Sequence, residues 1–122
     1  KYEKYKDVDL SKLLETINQR IEMLIDKDHQ IGHSYFIGIE NLGDLKRTFK
    51  DKIIPLLEEY FYGDFGKIGL VLGEKFIEQT KYAEKVFAKF TYEEDFLEDK
   101  KIYHITPSKD WDDEAFKSIY GS

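Results

Sequence analysis

The chain has 122 residues, of which 36% are charged and 41% hydrophobic, and its formal net charge is −6 at pH 7. This length suits one domain that buries roughly two-thirds of its unfolded surface, and the composition is typical of a folded protein rather than a disordered one. The absence of cysteine excludes disulfides and thiolate zinc sites. The negative charge argues against direct nucleic-acid binding.

We expect a cytoplasmic protein without a membrane-spanning segment. The first ten residues are polar and charged, without the apolar centre of a signal peptide. Every apolar run is much shorter than the ~20 residues needed to cross a bilayer.

A strongly amphipathic pattern predicts the first helix over about residues 10–27. Asp9 is a good N-cap, because its carboxylate can accept from the free amides of the first turn. Apolar residues then recur at spacings of three and four, at Leu10, Leu13, Leu14, Ile17, Ile21, Leu24 and Ile25. We expect this stripe, including Leu24, to face the core.

A polar corner with two of the three histidines follows the first helix, over Asp28–Phe36. Gly32 lowers helical continuity, so His33 or Ser34 is expected to begin a new turn. A polar, glycine-containing corner between two helical patterns is a candidate ligand contact. It is equally typical of an ordinary helix–helix turn.

Two further helical segments are predicted in the middle of the chain. The residue types of Asn41–Asp44 predict a turn followed by a helix cap, and the apolar spacing from Leu45 to Phe61 predicts a helix. Because a proline inside a helix removes a hydrogen bond and clashes one turn back, Pro55 predicts a kink or break near Lys52–Ile54. Phe65–Leu72 then predicts a two-turn helix that ends at Gly73.

The C-terminal part is predicted to contain a β-hairpin and a final helix. Glu74–Lys85 is mixed and is expected to be loop or ragged helix, whereas Val86–Tyr92 alternates like a strand. Ile102–Thr106 is the second predicted strand, and Asp110 is the predicted cap of the last helix. The predicted fold class is therefore mainly α, a small helical bundle with a short hairpin and a terminal helix.

The sequence contains no complete phosphate-loop or zinc-binding motif. The only Gly-Lys pair, Gly66–Lys67, lacks the spacing and the hydroxyl of a phosphate loop, so we expect no nucleotide hydrolysis by this chain alone. His29 and His33 stand four residues apart, which suits zinc on one helix face, and Asp26 and Asp28 add carboxylates. Gly32 interrupts that helix, so a histidine pair at a helix corner is the favoured interpretation and no metal is assigned.

Three segments carry a resemblance to a known family: Leu13–Glu22, Asp26–Phe36 with its Gly-His-Ser-Tyr-Phe, and Ile53–Asp64 with its Pro-Leu-Leu-Glu-Glu-Tyr-Phe. They resemble the C-terminal part of the McrB-type AAA+ NTPases, the motor subunits of modification-dependent restriction systems. The resemblance covers the first two-thirds of the chain. It implies a helical lid over residues 1–73 and a C-terminal extension, residues 74–122, packed on it, without the α/β core of such a protein.

The resemblance also implies a role for the polar corner. A lid of this kind closes over ATP or GTP with Mg²⁺, held by the upstream AAA+ core of the same polypeptide. It packs against neighbouring subunits of a ring, with a nuclease subunit as a further partner. Gly32, His33 and Ser34 would occupy the second-sensor position, where the start of a helix leans toward the nucleotide.

The corner departs from the family pattern in one respect. Many AAA+ proteins place an arginine at the second sensor, and a neutral histidine stabilises phosphate charge less than arginine does. Two roles are left open for His33 and Ser34: contact with the base or ribose of the nucleotide, or a purely structural corner.

Two alternative functions are also kept: a self-standing helical module that binds a partner protein through an aromatic groove, and a metal-dependent enzyme using Asp26, Asp28, His29 and His33.

Overall fold

The fold was analysed in a computed structural model that describes residues 5–80, 88–91 and 102–121. Five α-helices and one antiparallel pair of strands lie in these ranges: α1 (Leu10–Leu24), α2 (Leu42–Thr48), α3 (Ile54–Tyr60), α4 (Phe65–Leu72), α5 (Asp113–Gly121), β1 (Ile77–Thr80) and β2 (Ile102–Ile105). Three 3₁₀ turns lie between them, at Lys27–His29, His33–Phe36 and Ser108–Asp110. The predicted fold class, mainly helical with a small hairpin and a final helix, is confirmed.

The first helix begins where the sequence predicts and ends three residues early. The side chain of Asp9 accepts from the amide of Lys12 at 3.1 Å, which confirms the predicted cap. The apolar stripe faces the core as far as Ile21, but Leu24 is 36% exposed, so its predicted burial is wrong. Helical spacing predicts which face of a helix is apolar. Burial of Leu24 also requires another element to pack against the last turn of the helix.

The second and third helices are joined by a π-helical turn, Phe49–Ile53, so helical backbone continues from Leu42 to Tyr60. The amide of Ile54 donates to the carbonyl of Phe49, five residues back. Of the predicted kink or break near Lys52–Ile54, the break is wrong, and the irregularity is a widened turn that begins at Phe49. In a regular α-helix the ring of Pro55 would clash with the carbonyl one turn back, and a widened turn leaves more room there.

The two strands pair in a register that places Ile77 opposite Ile105 and Glu78 opposite His104. The prediction that Ile77–Thr80 is loop or helix is wrong, and the strand paired with β2 is β1 rather than Val86–Tyr92. Of that predicted strand, residues 88–91 are described and are not in a strand, and the rest lies outside the described residues. A strand is stabilised by its partner, which the mixed sequence of β1 does not reveal.

The described buried apolar residues form one cluster, and aromatic rings lie at its centre. The ring of Phe49 lies 6.2 Å from that of Phe36, 5.9 Å from that of Phe76 and 4.9 Å from that of Phe116. Residues from both predicted units, 1–73 and 74–122, therefore contribute to a shared core. The division of the chain into a lid and an extension stays a prediction.

The last helix is tied to the N-terminal segment. The hydroxyl of Tyr5 donates to the carboxylate of Asp113, and burial together with this carboxylate raises the pKa of Tyr5. The amide of Ala115 donates to the carboxylate of Asp112 at 2.8 Å. Asp112 therefore caps α5, and the predicted cap at Asp110 is wrong because Asp110 lies in the preceding 3₁₀ turn.

Among the described helices, none has the length and apolar content needed to cross a membrane.

Candidate functional site

The predicted site residues lie on the surface between two buried anchors. Gly32, His33 and Ser34 are exposed, whereas Ile31 before them is 3% exposed and Phe36 after them is fully buried. The anchors fix both ends of the segment in the core. The polar residues between them are therefore presented to solvent in a defined place.

An asparagine of the first helix clamps the corner. The side-chain amide of Asn18 donates to the carbonyl of Ile31 at 3.0 Å, and the amide of Ile31 donates back to the Asn18 side-chain oxygen at 2.6 Å. This reciprocal pair replaces the backbone partners that an extended residue beside a helix lacks. Asn18 lies off the apolar stripe of α1, and helical spacing alone does not reveal this role.

His33–Phe36 forms a short 3₁₀ turn that begins after Gly32. The amide of Tyr35 donates to the carbonyl of Gly32 at 3.3 Å, and the first amides of such a turn have no partner within it. Gly32 itself is extended, with φ of −72°. The corner therefore offers backbone donors, an imidazole and a hydroxyl side by side, all open to a ligand from solvent.

Within the polar corner, His29 forms an aromatic shelf with Tyr60 of α3; the shelf is defined here as these two residues. The ring of His29 packs edge-on against Tyr60, with 5.0 Å between the ring centroids and an interplanar angle of 87°. Burial raises the pKa of Tyr60, and the nearby Tyr35 and Glu59 raise it further. The shelf joins the polar corner to α3.

The shelf is held in place by Asp26. Its carboxylate accepts from the amides of Asp28 at 2.9 Å and His29 at 3.1 Å, and lies 2.6 Å from Nδ1 of His29. The hydrogen bond with His29 is the main cause that lowers the pKa of Asp26. Asp26 thus caps the 3₁₀ turn Lys27–His29 and orients the imidazole toward Tyr60.

The four residues of the metal hypothesis are not brought together as a set. Asp26 and His29 touch, but Asp28 contacts Asp26 only through its amide, and His33 lies in the next turn. In the described part of the chain, no group of three or more His, Cys, Asp or Glu residues is placed to hold a metal ion.

The lowered pKa of Asp26 predicts a defined pH dependence. Because the folded-state pKa lies below the unfolded value of about 3.9, the ionised carboxylate stabilises the fold above that value. This contribution is lost as the pH falls through the folded-state pKa. We expect Asp26→Asn to lower the melting temperature near pH 7 and to match the wild type in strong acid. Thermal unfolding from pH 7 to pH 2 measures this difference.

Asp28→Asn is the matched control, since its carboxylate makes none of the bonds of Asp26. It should leave the melting curve nearly unchanged at every pH. A difference between Asp26→Asn and wild type that stays constant across the whole range would contradict the assignment.

A groove of about 550 Å³, which sequence reasoning did not locate, lies between α4 and the hairpin. Phe65, Leu70 and Tyr103 line it, together with glycines at 66, 69 and 73. Gly69 lies against β1, where an added Cβ would be in ordinary van der Waals contact, at 3.6 Å, with the side chain of Ile77. Glycines spaced by three and four residues along α4 were the available signal.

Comparison with known proteins identifies the family of the segment that contains the polar corner. The alpha-helical lid domain of McrB matches residues 9–69, half of the 122-residue chain. The match includes Asn18, both buried anchors and the three predicted site residues. A search of curated proteins and a search of solved structures each gave no match. The chain therefore belongs to the McrB alpha-helical lid domain family.

Proposed function

We propose that this chain is the lid of an AAA+ motor and closes over a nucleoside triphosphate held by the core of the same polypeptide. The observation that carries the proposal is the exposure of Gly32, His33 and Ser34 within the region that matches the McrB lid. ATP or GTP, bound with Mg²⁺ in the core, is the proposed ligand. This chain alone is expected to hydrolyse neither.

The chemistry of the corner suits a weak, orienting contact with nucleotide. The unpartnered amides at the start of a helical turn favour negative charge, and the Ser34 hydroxyl and His33 imidazole add hydrogen-bonding groups. A neutral imidazole does not carry the fixed positive charge of an arginine. We therefore assign to the corner a contact that positions the nucleotide, while the main neutralisation of phosphate charge falls to the core and its Mg²⁺.

The family supports a wider setting for the lid in a restriction system. The same proposal includes packing of the lid against neighbouring subunits of a ring, a nuclease subunit as a further partner, and a cytoplasmic location. No direct contact with nucleic acid is assigned to this chain.

His33→Ala and Ser34→Ala test the nucleotide contact. In the protein that carries this lid and its core, we expect each change to weaken nucleotide binding by about 1–2 kcal/mol, as for one hydrogen bond to a charged group. Because both side chains are exposed, the isolated chain should keep its stability within about 0.5 kcal/mol. Nucleotide titration of the parent and thermal unfolding of the chain measure the two quantities.

Ser11→Ala and His104→Ala are matched controls on other exposed surfaces. They should leave nucleotide affinity unchanged. Unchanged affinity in the corner variants, combined with a clear loss of chain stability, would assign the corner a structural role and refute the nucleotide contact.

A second candidate function is protein binding through the groove between α4 and the hairpin. The observation that favours it is Leu70, which is 65% exposed at the groove. Leu70→Asp should abolish binding to the nuclease subunit of the same system if the groove is the docking surface. Met23→Asp, at a position that is 86% exposed on α1, is the control and should bind normally.

A further inference from the structure

A second concave surface, separate from the groove between α4 and the hairpin, is basic. Its volume is about 320 Å³, and we call it the basic pocket, lined by Lys46, Arg47, Lys50, Asp51 and Ser108. Three cations and one carboxylate line it, and the carboxylate of Asp44, which pairs with Arg47, lowers the local excess to one positive charge. The whole chain carries −6, so this excess is a local departure from the prevailing charge.

The two lysines of the basic pocket share one helix face. Lys46 and Lys50 are four residues apart, the spacing that places side chains on the same side of a helix. Neither forms an ion pair within the described residues. Their ammonium groups are therefore available to an external anion.

The arginine is held in place by the chain itself. Arg47 donates to the carboxylate of Asp44 at 3.1 Å. That carboxylate also accepts from the amide of Glu40 at 3.0 Å, and the amide of Asp44 donates to Asn41 at 2.8 Å. Because Asp44 is fixed by these bonds, Arg47 is oriented while its remaining N–H groups stay free to donate.

The opposite wall of the pocket is equally constrained. Ser108 begins a 3₁₀ turn, and its carbonyl accepts from the amide of Trp111 at 3.1 Å. Trp111 is 1% exposed, and its indole N–H donates to the hydroxyl of Thr106 at 2.9 Å. The hydroxyl of Thr106 in turn donates to the carbonyl of Lys75 at 2.9 Å, which fixes the turn to the strand β1 side of the core.

Buried aromatic rings connect the two walls. Phe49 directly precedes Lys50 and stacks on Phe76, with 5.9 Å between ring centroids. Phe76 contacts Trp111 at 5.4 Å. The spacing between the lysine side and the Ser108 side is thus set by core packing rather than by a ligand, and a preorganised site loses less entropy on binding.

We propose that the basic pocket binds a single phosphate group as its dianion. The two lysine ammonium groups, neither of which forms an ion pair within the described residues, match the charge of that dianion, and the lysines, Arg47 and the Ser108 hydroxyl supply donors from two walls. The small volume suits one compact group. A nucleic-acid backbone suits this surface less, because Asp51 lies in the pocket and the chain as a whole is acidic.

The phosphate group has two possible sources, a small free phosphate compound or a phosphorylated side chain of a partner protein. The proposal concerns the chemistry that the two share. Phosphate binding is independent of nucleotide closure at the polar corner, because the basic pocket lies on α2, the π-helical turn Phe49–Ile53 and the Ser108 turn and is tested in the isolated chain.

The test is an amide-resolved NMR titration of the chain with inorganic phosphate at pH 7.5 and constant ionic strength. We expect saturable shifts confined to residues 46–51 and the Ser108 turn. Lys46→Ala and Lys50→Ala should each weaken binding about fivefold, the effect of losing one exposed charge-assisted hydrogen bond. Asp51→Asn should instead tighten binding about two- to threefold, because it removes a charge that repels the phosphate near the protein surface.

Lys67→Ala, an exposed lysine on α4, is the matched control and should bind as the wild type does. A phosphoserine peptide and its unphosphorylated form distinguish the sources. Tighter binding of the phosphopeptide than of inorganic phosphate would identify a phosphorylated side chain of a partner protein as the source. Equal binding of the two would identify a free phosphate compound as the source. Diffuse shifts without saturation, equal weakening by Lys67→Ala, or preferential binding of a duplex oligonucleotide that phosphate does not displace would each overturn the proposal.

Discussion

Phe49→Ala is expected to lower the free energy of unfolding by about 3–5 kcal/mol, the usual cost of truncating a buried phenylalanine. The side chain is fully buried, and its ring contacts Phe36, Phe76 and Phe116. Removing it leaves a cavity where the π-helical turn, the polar corner and α5 meet. Since domains of this size have a stability of about 5–15 kcal/mol, the loss is a large fraction of the total. Urea unfolding followed by circular dichroism measures it.

Phe90→Ala is the matched control for this truncation. Phe90 is 81% exposed, so the same chemical change should alter stability by less than about 0.5 kcal/mol. Similar losses for the two variants would show that the aromatic cluster does not form the centre of the core.

Asn18→Ala is expected to cost about 2–4 kcal/mol of stability. The side chain bonds to both the carbonyl and the amide of Ile31, and each buried backbone group left without a partner costs about 1–3 kcal/mol. The change should also free the polar corner from α1. Urea unfolding reports the first effect, and faster hydrogen exchange at the amide of Ile31 reports the second.

Gln19→Ala, at the exposed neighbouring position, is the control and should change neither quantity appreciably. If Asn18→Ala kept full stability and left exchange at Ile31 slow, the corner would be positioned by its buried anchors alone. The role assigned to Asn18 would then be wrong.

Local patterns were sufficient to predict most of the helices. The cap at Asp9 and the start of α1 follow from hydrogen-bonding chemistry that acts within one turn. The helix Phe65–Leu72 and its end at Gly73 are likewise confirmed, and Gly73 has the positive φ, 92°, that favours glycine. These features depend on neighbours in the sequence, which the sequence itself displays.

The incorrect predictions concern features set by distant contacts. Ile77–Thr80 becomes a strand because it pairs with Ile102–Ile105, and its own composition contains no alternation that would predict this. Leu24 belongs to the apolar stripe but is 36% exposed. At Pro55, the sequence correctly predicts an irregular helix, but not the π-helical turn that keeps the helix continuous.

The candidate site was predictable only in part. Gly32, His33 and Ser34 were identified through the family resemblance, since their chemistry alone also fits an ordinary turn. The clamp from Asn18 joins residues 13 positions apart, and the basic pocket joins α2 to Ser108. Such groupings arise from packing, so no local pattern of residue types predicts them.

Hydrogen–deuterium exchange on the protein that carries this lid together with its AAA+ core is the most direct test of nucleotide closure. The comparison is between the nucleotide-free protein and the protein saturated with a non-hydrolysable Mg²⁺–nucleotide. Closure over the ligand should slow exchange at the amides of residues 32–36, while exchange at the exposed end of α1, near Met23, stays unchanged. Identical exchange at residues 32–36 with and without bound nucleotide would contradict the proposed function.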